Sequence, residues 1–188
     1  KQFAEVESRL AAYDRAMARD IRNEDAWRAA YESFATAWQL SPILNQWVEA
    51  RPRSAPARIA LGMQLVEQGR RARGGRYAED TPDSNFRNMR PWFRNAAAQF
   101  AQARSLAPNS VMAHLQSIRP HLFMSEPDSL HPHFGTALRL APQSVIVRQV
   151  IMNALLTRWY GSQEALTRFA EASQEHAAAY PRMRVLHG

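Results

Sequence analysis

Arginine is the residue whose density and spacing in this chain suit recognition chemistry. Arg70, Arg71, Arg73 and Arg76 fall within seven residues around Gly74-Gly75, Tyr77 follows at once, and Arg87, Arg90 and Trp92 come next. A guanidinium is planar, permanently charged and weakly hydrated, so it pairs bidentately with carboxylate or phosphate and stacks on aromatic rings. These eight residues are therefore the candidate contact set. They predict an acidic protein surface or peptide as partner, with the arginines as charge donors and Trp92 as stacking anchor. Nucleic acid would satisfy the same groups, but the other basic residues are scattered and no groove-reading motif or long Arg-Gly repeat accompanies them. The plain alternative is a solvated loop in an arginine-biased chain, which has 23 Arg and one Lys.

Histidine raises a metal question at His114, His121, His131 and His133, with Glu126 and Asp128 between them. His131-Pro132-His133 has the wrong spacing for two ligands on one helical face, and no H-E-x-x-H set is present. These histidines are expected to cover a connection between helices, without metal. The chain has no cysteine nucleophile, no G-x-S-x-G and no glycine-rich phosphate loop. Glu24 and Asp25 sit where a helix N-terminus already explains acidic residues. The expectation is a protein without catalysis or cofactor; the enzyme alternative is an all-helical site of separated carboxylates.

The 188 residues carry a formal net charge of +7 and are 46% hydrophobic. A chain of this length buries a sizeable core without disulfides or metal staples. No run reaches the ~18 apolar residues of a membrane span. The sequence starts at Lys1 without Met, which leaves room for an upstream signal or anchor, so cytoplasm and periplasm both stay open. Residues 1–48 sum to −1, residues 49–110 to +6 with 11 basic against five acidic side chains, and residues 111–188 to +2. Most of the excess therefore falls in the middle third.

Apolar residues recur at three- and four-residue spacing almost throughout, which predicts an all-α chain. A first helix is expected over 3–20 with Phe3, Val6, Leu10, Tyr13 and Met17 as its stripe. Asn23 can cap a second helix to about Leu40, and Ser41-Pro42 starts a short one bearing Leu44 and Trp47 that ends at Arg51-Pro52. Ser54 opens a helix to about Gln68, with Gly69 as its stop. Residues 70–90 lack sustained periodicity and read as a long loop, and loops of that length often bind partners. Pro91 starts the next helix, to Leu106, and others are expected near 110–118, 131–140, 144–159 and 162–179. Trp27, Trp38, Trp47, Trp92 and Trp159 fall mostly on apolar stripes, with Trp159-Tyr160 at a helix end as a possible partner contact.

A repeat underlies these helices. F-x-x-A-x-x-L-x-P occurs at Phe34, Ala37, Leu40 and Pro42, at Phe100, Ala103, Leu106 and Pro108, and at Phe134, Ala137, Leu140 and Pro142. The last two copies are 34 residues apart, the first two 66, and Ala165, Phe169 and Ala172 form a degenerate fourth. Ala30 and Ala96 place a small residue four before the Phe in two copies. Small alanines on one stripe let a neighbouring helix approach closely while Phe and Leu fill the gaps beside them.

The A-x-x-x-F-x-x-A-x-x-L-x-P pattern and its period resemble the second helix of tetratricopeptide repeats. The first helices depart from that family: the positions for its Trp, Leu, Gly and Tyr after Pro108 hold His114, Ser117, Ile118 and His121. The resemblance implies antiparallel helix pairs stacked into an α-solenoid. A wider resemblance covers Trp47, Ser54, Ala57, the helix to Arg73-Gly74, the two repeats, and Arg158-Trp159-Tyr160-Gly161-Ser162 with Phe169-Ala170. This set is similar to the bacterial family called domain of unknown function 4034, which has a second Gly where Tyr160 stands. That resemblance implies bacterial origin and no particular activity.

The combined expectation is one helical-repeat domain over 1–188, with N-terminal helices in 1–69, a basic loop in 70–90 and repeats in 91–179. It is expected to bind protein, with the specific expectation of an immunity protein that occludes a secreted antibacterial toxin. The alternative is a scaffold that binds an acidic peptide or nucleic acid.

Overall fold

The computed structural model describes residues 2–159 and 161–186, with every side chain in them except that of Trp38. Tyr160 of the Arg158–Ser162 motif and the Trp38 ring lie outside the described residues. The described residues are all-helical, with nine α-helices: α1 Gln2–Arg19, α2 Glu24–Thr36, α3 Ser41–Ala50, α4 Ala55–Arg73, α5 Asp83–Leu106, α6 Val111–Met124, α7 His131–Leu140, α8 Val145–Ala154 and α9 Gln163–Ser173. Short 3-10 turns join several of them, and the last, Pro181–Leu186, lies against α8.

Three connections are built alike. In α3–α4, α5–α6 and α7–α8 the chain passes through x-Pro-x-Ser: Arg51–Ser54, Ala107–Ser110 and Ala141–Ser144. The first residue's N–H bonds back to the carbonyl four earlier, on Trp47, Ala103 or Ala137. The serine hydroxyl then caps the next helix by accepting from the N–H of Ala57, Ala113 or Val147 at 3.1–3.2 Å. Proline stops one helix because it lacks an N–H, and serine starts the next by satisfying one of its free donors. Two of these turns follow the expected F-x-x-A-x-x-L-x-P copies, in which Phe100, Ala103, Phe134 and Ala137 are buried. The third does not. At Phe34–Pro42, α2 ends at Thr36 and a 3-10 turn intervenes, so that copy is not a helix-pair joint. The equivalent joint follows α3, where Leu44 and Trp47 take the buried places.

The 70–90 loop is corrected by the structure. α4 continues to Arg73 and α5 begins at Asp83, which leaves a nine-residue connection. Gly69 is a buried interior residue of α4, and the helix stops at Gly74, whose φ of 81° suits only glycine well. Pro91 lies inside α5 instead of opening it. An internal proline costs about 3 kcal/mol, but Phe86, Met89, Phe93, Ala96, Phe100 and Ala103 form a 3-4-3-4-3 stripe running through it. All but Phe86 are fully buried, and that burial outweighs the lost hydrogen bond. α6 likewise runs through Pro120 to Met124 and ends at Ser125 in the left-handed conformation.

α4 and α5 form the most extensive helix pair, antiparallel and unusually close. A Cβ built on Gly62 would lie 2.5 Å from the Phe100 ring, and one on Gly69 would lie 2.9 Å from the Phe93 ring. The two glycines are seven residues apart, as are the two phenylalanines, so each ring seats over a glycine two turns along. Around this pair, α2, α4, α6 and α8 contact one another in succession.

The row also bends back on itself. Glu24, at the start of α2, is buried and accepts from the Ser144 hydroxyl at 2.6 Å and the Ile146 N–H at 3.2 Å, both at the start of α8. Arg182 of the C-terminal segment reaches Glu24 at 3.5 Å and Asp25 at 2.9 Å. The N-terminus of α2 alone therefore does not account for Glu24; its carboxylate completes the cap of α8 as well. In α1, Tyr13 faces solvent, while Asp14 turns inward to accept from the Trp27 indole at 2.8 Å and the Tyr31 hydroxyl at 3.0 Å. Burial raises the Asp14 pKa against these two bonds.

Candidate functional site

The eight candidate residues gather at one end of the α4–α5 pair, because antiparallel packing brings the last turn of α4 beside the first turns of α5. They do not form one uniform patch. Arg70 and Arg71 share a single carboxylate, Glu67, at 3.0 and 3.3 Å. Burial raises the Glu67 pKa, yet these hydrogen bonds and charges hold it below the usual value. One acid thus offsets two guanidiniums, and both arginines remain about half exposed.

Arg73 is committed to the turn. Its Nη1 donates to the carbonyls of Gly74 at 3.2 Å and Arg76 at 2.9 Å, and its guanidinium lies 5.7 Å from the Phe86 ring centroid. The Asn85 amide donates to the Arg73 carbonyl at 2.9 Å, and the buried Thr81 hydroxyl donates to that of Tyr77 at 2.7 Å. Arg73→Ser is therefore expected to loosen residues 74–82 and raise their proteolytic nicking several-fold, with a stability loss of about 1 kcal/mol; limited digestion and thermal melts check both.

Positive charge resides on the helices and not on the connection. The nine residues 74–82 carry Arg76 against Glu79 and Asp80. The free charge is on α5, where Arg87, Arg90 and Arg94 are exposed and make no hydrogen bond or ion pair among the described residues. At about 100° per residue these three fall within ~60° of one another on one flank of the helix. Arg94, absent from the sequence-derived set, completes the row; its signal is the i, i+3, i+7 spacing, which exists only because α5 starts at Asp83 and not at Pro91. Trp92, 39% exposed, stands roughly 160° around the axis from Arg90 and so on the other flank. Tyr77, 80% exposed, projects from the connection.

A second charged locus was not visible in the sequence. α2, α6 and α8 enclose a cavity of about 150 Å³ lined by Arg28, Glu32, Gln116, Arg119, Gln149 and Asn153 over an apolar floor that includes Leu115 and Ile118. The Arg28 Nε is buried with no hydrogen-bond acceptor among the described residues, and the Glu32 carboxylate is 3.8 Å away. These residues are scattered over 125 positions and meet only because the helix row curves.

Of the tryptophans, Trp27 and Trp47 are buried, with indole N–H groups on Asp14 and Glu7. Trp159 packs edge-on against Phe123 at 5.0 Å, and its own N–H is buried with no acceptor among the described residues. Among the described residues no group of three His, Asp or Glu side chains is arranged to hold a metal ion, and no helix is long and apolar enough to cross a membrane. No family model, curated protein or solved structure matches this chain.

Proposed function

We propose that the chain is a non-enzymatic protein-binding module: a tightly curved α-solenoid of tetratricopeptide-like helix pairs that receives an acidic partner on its arginine-bearing edge. The reading rests on the row Arg87, Arg90 and Arg94, three exposed guanidiniums with no acceptor among the described residues, beside Arg70, Arg71, Arg76 and Tyr77. Unpaired arginine and exposed tyrosine are enriched where interfaces carry their energy. Repeat stacks offer extended surfaces for such contacts. A protein partner is favoured over nucleic acid because Glu67, Glu79, Asp80 and Asp83 interleave with the arginines, which would repel a phosphate backbone.

The narrower form of this reading is an immunity protein that blocks a bacterial toxin by occlusion, a role that suits a small binding domain whose sequence carries no catalytic motif. Co-expression with candidate toxins tests it: protection together with a stable complex supports it, and neither sinks it.

The basic edge is tested separately. Charge reversal at Arg87, Arg90 and Arg94 to Glu is expected to weaken the captured partner at least tenfold while leaving the melting temperature within about 2 °C, since exposed substitutions cost little. Recovery of the same proteins at the same yield by the triple variant would remove the edge from the interface.

A further inference from the structure

The α5–α6–α7 packing contains a cluster of three imidazoles beside a guanidinium that the proposed binding edge does not use. α6 presents His114, Ser117 and His121 along one stripe, at i, i+3 and i+7. His133 of α7 inserts between the two α6 imidazoles, with its ring centroid 6.1 Å from His114 and 5.7 Å from His121, nearly parallel to the latter. From α5, the Arg104 guanidinium donates to the Ser117 hydroxyl. His133 is only 8% exposed, and its ring makes no hydrogen bond among the described residues.

The surroundings are one-sided in charge. His114 and His121 face His133 from α6, Arg104 bears on it from α5, and Arg139 of α7 adds its field at His114. The acid in the group is Glu126, in the connection between α6 and α7, and it is engaged with His121 Nδ1 at 2.8 Å. His114 bonds through Nε2 to the Pro108 carbonyl at 2.9 Å, and its Nδ1 is buried without a partner. A proton added at His133 or at His114 Nδ1 thus finds no carboxylate to receive it, only like charge.

We propose that this histidine stack makes the α6–α7 joint an acid-sensitive switch, closed while the imidazoles are neutral and opened when protons place several positive charges between the two helices. The α4–α5 pair, held by Gly62, Gly69 and the phenylalanine rings, has no such cluster and stays packed. Acidification therefore releases α7 and the 125–130 connection first.

Burial, then the fields of Arg104, His121 and His114, pushes His133 down to about 4, and burial is the main cause that lowers His114. An unfolded imidazole takes its proton near pH 6.5. Between pH 6.5 and 4 the unfolded chain accordingly binds more protons than the folded one, so stability falls as pH drops through that window and is fully present above it.

Two measurements on the full chain test the switch. A proton NMR titration of the wild-type histidines should show one ring titrating at least one pH unit below the ordinary histidine value and identified as His133 by its loss in His133→Phe; a His133 midpoint near 6.5 overturns the proposal. Thermal melts at pH 7.5 and 4.5 should show His133→Phe losing about 5 °C less than wild type over that interval, and equal losses overturn it. Should His133→Phe fail to fold, hydrogen exchange of the wild type at pH 5, corrected for intrinsic rates, decides. Amides of α7 and residues 125–130 losing protection at least tenfold more than those of α4 and α5 support the joint as the site of opening, and a uniform loss overturns it.

Discussion

Gly62→Leu is expected to destabilise the protein by 3 kcal/mol or more, and to leave much of the chain unfolded at 37 °C. The smallest added atom, a Cβ, already lies 2.5 Å from the Phe100 ring, well inside van der Waals contact. Phe100 is fully buried on the far side, so the ring cannot swing into solvent, and α4 and α5 must separate along their whole shared face. Overpacking a dense core typically costs 1–3 kcal/mol, and the contact here is with the central ring of the largest helix pair. The check is urea unfolding of wild type, Gly62→Leu, Phe100→Ala and the double variant. Phe100→Ala alone should cost about 4 kcal/mol by opening a cavity. The double variant should cost less than the sum of the singles by more than 1 kcal/mol, because the leucine fills the space that the ring vacates. Additive losses would mean that the two residues do not meet.

Glu24→Ala is expected to cost about 3–4 kcal/mol and to detach the C-terminal segment from the start of the chain. One carboxylate serves the Ser144 hydroxyl, the Ile146 N–H and the Arg182 guanidinium at once. It also offsets Arg148, which is buried, has no hydrogen bond at Nε and is held below the ordinary arginine value by that burial, with Glu24 acting against the shift. Removing the acid strands buried donors and an uncompensated buried cation, the costly way to break an ion pair. Glu24→Gln should recover part of the loss, since its amide oxygen still accepts from Ser144 while the charge that balances Arg148 is gone. Asp25→Ala, on an exposed residue whose bond to Arg182 is 2.9 Å, should cost under about 1 kcal/mol. Melts of the three variants check the order; Asp25→Ala matching Glu24→Ala would show that Arg182, and not the α8 cap, carries the tie.

Much of the local structure was legible in order along the chain. The three- and four-residue apolar spacing marked the helices, and Ser54 was readable as a cap. The alanine, phenylalanine and proline signature marked the α5–α6 and α7–α8 joints. At Gly69 and Pro91 the structure departs from the local signal for one reason: burial outranks a residue's local preference. Gly69 reads locally as a stop, yet its missing side chain makes room for Phe93. Pro91 reads locally as a helix start, although the apolar stripe from Phe86 to Ala103 runs through it. Phe34–Pro42 matched the repeat in letters, while the equivalent joint at Leu44–Ser54 uses Trp47 where the others use alanine.

The candidate site was half visible for the same reason. The density of arginine between 70 and 94 is a property of the sequence, and so is the +6 excess of the middle third. Which of those arginines are free is not. Arg73 is spent on the turn, Arg70 and Arg71 divide one glutamate, and Arg87, Arg90 and Arg94 share a flank from which Trp92 is turned away. The sequence by itself determined an all-helical chain, its repeated proline-serine turns and the rough address of its charge, because these follow from nearest-neighbour sterics and spacing along one helix. Only the tertiary structure decided that Glu24 meets Ser144, that Arg28 shares a cavity with Arg119 and Asn153, and that three histidines cluster beside Arg104. Those contacts join residues far apart in the chain, and the angle at which successive helices pack is set by the sizes of side chains on both faces at once.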